Sequence, residues 1–252
     1  MSAFVLSSVA FAFIFGGGLL GLLLRAVLPE PHLNTDARDV VRLSTGLLAT
    51  LAALVIGLLI ASAQSSFQTK SSQIKQITAN IILLDNLLAR SGPQAQPLRP
   101  LLRGGVKILV ERIWREENPS AAKVAPFEAS AQSDLFFDKL LELTPQNDGQ
   151  REMQTRAVQI WIDLAQTRVL FAQTDSAIPM PFLAVLVFWL AAIFVSFGLF
   201  ARPNAMVVSV LCVSALSAAS AIFLILELGH PFTGLMEISS VPLSNALVPL
   251  GP

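Results

Sequence analysis

The chain has 252 residues, 54% of them hydrophobic and 13% charged, with 17 basic and 17 acidic side chains and a formal net charge of zero. It is too apolar for an average soluble domain and lacks the basic excess of a nucleic-acid binder. A lone cysteine, Cys212, excludes an intrachain disulfide and a cysteine-built zinc site.

The charge is unevenly spread. Ala3–Leu24, Leu43–Ala63, Phe182–Phe200 and Ala205–Leu226 carry none. Each is about 20 residues long, the length of helix that crosses a bilayer core. In lipid the backbone must satisfy its own hydrogen bonds, so these segments are helices. Most of the charge lies between Lys70 and Asp175, which reads as a water-exposed region. The expected fold is an all-α integral membrane protein: four transmembrane helices in a 2 + 2 arrangement, with a helical extramembrane region between helices two and three.

The first transmembrane hairpin spans residues 1–63, with helices at about 3–27 and 40–63. The N-terminus has no basic stretch before its apolar run, which is longer than that of a cleaved signal, so it reads as the first membrane helix. Gly16, Gly17, Gly18 and Gly21 would let a second backbone approach, or would break the helix. Pro29 and Pro31 interrupt the chain, and Asn34, Thr35 and Asp36 offer caps for helix two.

Residues 64–178 form the extramembrane region, continuous with helices two and three. No Gly or Pro occurs from Leu58 to Ser91, so helix two is expected to run on past the membrane. Beyond the polar stretch Gln64–Gln73, the residues Ile74, Ile77, Ile81, Leu84 and Leu88 repeat at spacings of three and four. That is a short heptad seam, either between subunits or against the chain's own domain. Further helices are expected at Leu98–Glu116, bent or interrupted at Gly104–Gly105, then at Ser133–Leu143 and Arg151–Asp175. Asn118–Pro126 and Pro145–Gly149 read as loops.

The second hairpin spans 179–228. Its helices are joined by only Ala201–Asn204, and helix four is rich in Ser and Ala. The tail, 229–252, holds four prolines and reads as an extended strap without a helix. Four crossings put the N-terminus, middle region and tail on one side. Arg25, Arg38, Arg42 and Arg202 against Lys70, Lys75 and Arg168 fix no orientation.

In helix two, Thr45, Ala49, Ala53, Gly57, Ala61 and Ser65 recur every fourth residue as a ridge of small side chains. The ridge either packs closely against another helix or lines a pore. Leucines elsewhere on the helix could form a hydrophobic constriction. No Asp, Glu, Lys, Arg or His sits mid-membrane, which disfavours a proton-coupled pump or transporter. His32 and His230 lie at opposite membrane faces and cannot share a metal. No HExxH, CxxC, GxxxxGK[ST] or GxSxG pattern occurs, so no enzyme, metal site or cofactor is expected.

Two stretches carry a family resemblance. One is HLNTD from His32 to Asp36, followed by GLLATLAALVIGLL from Gly46 to Leu59. The other is Glu227–Leu228, then PFTGL from Pro231 to Leu235 and SSVPL from Ser239 to Leu243. Together they resemble the bestrophin-like family of bacterial and plant membrane proteins, over nearly the whole chain. True bestrophins are pentameric anion channels in which helix two lines the pore and continues into a cytosolic helical domain. The resemblance therefore implies a homo-oligomer in a lipid bilayer, a multi-pass protein expected in a bacterial inner membrane, conducting inorganic ions. It would place Thr45–Ser65 near the pore and the Ile74–Leu88 seam among subunits. The acidic calcium clasp of bestrophins has no recognisable counterpart here, helix two lacks their phenylalanine-rich neck, and Gly229–His230 replaces more polar residues. Calcium gating is thus not implied. The alternative reading is a non-conducting scaffold or sensor whose helical region binds a partner.

Overall fold

The computed structural model describes residues 2–27, 35–114, 131–173, 180–232 and 234–246. His32, Asn34 and the expected loop at Asn118–Pro126 lie outside them. The described elements are helical, and no strand occurs among them. They are α1 (Ala3–Val27), α2 (Thr35–Arg90), a 3₁₀ turn (Pro93–Ala95), α3 (Leu98–Trp114), α4 (Ala131–Leu141), α5 (Asp148–Gln173), α6 (Met180–Phe200), α7 (Ala205–Leu228) and α8 (Val241–Asn245). The chain divides into two compact units: residues 1–66 with 176–230, and residues 67–175 with 231–252.

In the first unit, α1, α2, α6 and α7 are long and apolar enough to cross a membrane. The α1 glycines do not break the helix; they let α1 lie against α6. A methyl on Gly17 would sit 2.8 Å from the Ala191 carbonyl oxygen. One on Gly21 would collide with the Val195 carbonyl, and one on Gly198 with the Gly18 carbonyl. Small residues on both sides permit this approach, the usual way helices pack in lipid. On α7 the inward positions are Leu211, Ala215, Ala219, Ile222 and Leu226, at spacings of three and four. The outward Ser209 and Ser220 hydroxyls donate to Ala205 O (3.0 Å) and Leu216 O (2.8 Å), so these side chains stay hydrogen-bonded without water. Near the ends of α2 and α6, the Arg38 guanidinium lies 5.9 Å from the Phe200 ring centroid.

The second unit is built on the C-terminal part of α2, from Phe67 onward. Ile77, Ile81, Leu84 and Leu88 are fully buried there, among Leu98, Leu102 and Val106 of α3, Phe136 and Leu140 of α4, and Ile160 and Leu164 of α5. Gly92 takes φ 93°, a left-handed conformation suited to glycine, and turns the chain from α2 into α3. Across that turn Arg99 clamps Asp85 with two hydrogen bonds, Nε–Oδ1 at 2.6 Å and an Nη2–Oδ2 bond at 3.1 Å. Donating to Asp85 raises the Arg99 pKa, desolvation acting against it and the charge of Asp85 with it. α3 runs through Gly104–Gly105 without interruption, and Gly104 abuts the Gln132 side chain on α4.

Three elements differ from the sequence expectation, the first being α4, which spans Ala131–Leu141 rather than Ser133–Leu143. α5 starts three residues early, at Asp148, because Asn147 Oδ1 accepts the Gln150 N–H at 2.8 Å while Gln150 Oε1 accepts the Gln146 N–H. Both bonds supply partners at a helix start. The tail is not wholly extended: α8 forms within it, with Leu243 fully buried. The tail is held to its unit by Phe232, which contacts Trp114 edge-on (5.6 Å) and Phe171 (5.5 Å). Trp114 Nε1–H also donates to Ile238 O at 2.9 Å.

Candidate functional site

The ridge on α2 reads in the sequence as one helix face, but a spacing of four overshoots the helical repeat by about 40° per step. Over five steps the line winds about 200° around the helix. Thr45 is accordingly buried and Ala49 half-buried, whereas Ala53, Gly57, Ala61 and Ser65 are not buried to the same degree along the helix's open side. Thr45 and Ala49 turn towards the bundle; the later four turn away from it.

A face that keeps register must mix steps of four and three. Gly46, Thr50, Ala53, Gly57, Ala61, Gln64, Gln68, Ser72, Lys75 and Ala79 do so, and they form the open side of the helix. A methyl added to Gly46 or Gly57 would meet nothing within 4 Å. The Thr50 hydroxyl is satisfied within the helix, donating to Gly46 O at 2.9 Å. Leu47, Leu51, Leu54 and Leu58 form a flanking exposed stripe. The opposite face holds Ala52 and Ala63, and in the same register the heptad seam. α2 is thus one long helix with one side buried and one side open.

Ile74, Ile77, Ile81, Leu84 and Leu88 are 0–2% exposed within a single chain. Of the two readings of the seam, this is packing on its own domain. These side chains are covered before any second subunit arrives.

Among the described residues, no three His, Cys, Asp or Glu side chains group as metal ligands would. His230 Nδ1 lies 2.9 Å from Leu226 O. A carbonyl only accepts, so this nitrogen carries the proton and the ring caps the end of α7. Cys212 is half-buried on α7. Sequence reasoning singles out neither the Asp85–Arg99 clamp nor Lys70, whose ammonium lies 5.5 Å from the Phe171 ring and 5.9 Å from the Phe232 ring. Both join residues distant in sequence, and no spacing marks them.

Comparison with known proteins agrees with this architecture. No curated protein matches the chain. Among solved structures, one point mutant of a bacterial bestrophin homologue from Klebsiella pneumoniae aligns with a TM-score of 0.71 at 15% identity, covering 99% of this chain and 97% of that one. A second mutant aligns with a TM-score of 0.68 at 14% identity, covering 96% of both chains. At this identity the likeness establishes a shared fold. The sequence profile of the Bestrophin-like domain matches residues 12–243, and the chain belongs to the bestrophin-like family.

Proposed function

We propose that the protein is an oligomeric ion channel, with anions as its permeant ions and the exposed face of α2 lining the path. The observation that carries this reading is the uneven burial of the four apolar helices. Only 11% of the apolar window of α2 is buried, against 28–33% for α1, α6 and α7. The open face is made of small side chains, with free space at Gly46 and Gly57. Small side chains leave room for an ion, and the leucine stripe beside them could narrow a path by dewetting. The bestrophin-like membership supplies the anion preference.

The test is flux from proteoliposomes holding the full chain under opposed chloride and potassium gradients. The expected reversal potential lies close to the chloride equilibrium value. Ala53→Trp and Gly57→Leu should each reduce conductance by about tenfold or more with the oligomer intact, since a large side chain then fills the path. Unchanged flux from an intact oligomer removes this face from the pore. An oligomer that falls apart makes it a packing surface. No flux from well-folded protein would turn the reading to a scaffold and direct the search to a partner of residues 64–178.

A further inference from the structure

We infer that Lys75 sets the charge selectivity of the conduction path; this rests on the channel reading above. From Leu43 to Arg90 the only acid is Asp85, which is buried and clamped by Arg99, and the cations are Lys70, Lys75 and Arg90. Lys70 is drawn onto the rings of Phe171 and Phe232. Arg90 is exposed at the far end of α2, about 22 Å beyond Lys75 at 1.5 Å per residue. Lys75 is exposed and keeps the register of Gly57 and Ala61 on one unbroken helix. Around it the stretch is polar and uncharged, with Gln64, Gln68 and Ser72 in the same register.

A helix that lines an axis repeats each of its residues once per subunit. One lysine per chain then becomes a ring of like charges, the device by which pores admit anions and turn cations away. The ring lies beyond the uncharged apolar stretch, so it acts on hydrated ions. Its influence therefore falls with ionic strength, because the screening length shrinks from about 10 Å at 0.1 M salt to about 3 Å at 1 M.

The experiment measures reversal potentials of the reconstituted full chain in KCl gradients for the wild type, Lys75→Gln and Lys75→Glu. The expected result is a fall of about tenfold in the chloride-to-potassium permeability ratio for Lys75→Glu at about 0.1 M salt, less for Lys75→Gln, and a smaller change at about 1 M. A Lys75→Glu channel that conducts with the wild-type ratio overturns this inference and leaves the channel reading standing. A wild-type chain that does not conduct overturns both. To separate selectivity from folding, Lys75→Cys in a Cys212→Ser background is modified after reconstitution by a cationic or an anionic thiol reagent. The two reagents should move the ratio in opposite directions; equal ratios after both overturn the inference.

Discussion

Gly16 and Gly21 lie on the same helix, α1, and stand in opposite situations. A methyl added to Gly16 would meet nothing within 4 Å, whereas a methyl on Gly21 runs into the Val195 carbonyl on α6. A backbone atom cannot step aside as a side-chain tip can, so Gly21→Ala must push the helices apart. Overpacking of this kind costs about 1–3 kcal/mol. Gly16→Ala meets no such resistance and gains up to about 1 kcal/mol of helix propensity. Thermal unfolding in detergent should show a lowered midpoint for Gly21→Ala and an equal or raised one for Gly16→Ala. Equal responses would mean that α1 and α6 are not in backbone contact. The sequence displays four glycines in a cluster, but not which of them face a partner. That depends on where α6 lies, a long-range fact.

At the scale of elements, α2 shows what is legible in the sequence and what is not. Its length is, because 33 residues without Gly or Pro, from Leu58 to Arg90, leave a helix no reason to stop. The seam is visible as a spacing, but spacing cannot say whether the chain itself or a second copy fills it. The ridge passes for one face because similar residues at four-residue intervals catch the eye while the helix turns past them. The start of α5 and the whole of α8 escape a reading of periodicity for another reason: a side-chain cap and a single buried Leu243 decide them, and both act through local or tertiary contacts. The intrachain filling of the seam has a measurable consequence. Ile81→Ala should destabilise the fold by about 2–5 kcal/mol, as truncation of a fully buried aliphatic side chain does. Leu141→Ala, at an exposed position on α4, should leave the unfolding midpoint nearly unchanged. Chemical unfolding of both variants in one detergent checks the difference. Equal, small effects would return the seam to a contact between subunits.

For the whole molecule, the channel reading proposed above requires copies of the chain to assemble, and the question is what would drive them together. Both units expose large apolar side chains, such as Leu54 and Leu58 in the first and Leu83 and Val169 in the second. These exposures are not equivalent. In lipid, a leucine that packs against a second copy leaves hydrocarbon rather than water, so its burial gains little from the hydrophobic effect. In water the same burial is favourable by roughly 1.5–3 kcal/mol per large side chain. On the membrane assignment of the first unit, the apolar drive for assembly therefore belongs to the second, where Leu83 is 51% and Val169 52% exposed. A charge at either position would be costly to bury and harmless if left in water. Leu83→Glu combined with Val169→Glu should dissociate the oligomer in mild detergent while its helix content and unfolding midpoint persist. Leu54→Ser, on the lipid-length stretch of α2, should leave its mass unchanged. Native mass spectrometry reads both. An oligomer that survives the paired glutamates but dissociates on Leu54→Ser would place the decisive contacts within the bilayer, where close packing of small residues, rather than exclusion of water, would have to hold the subunits.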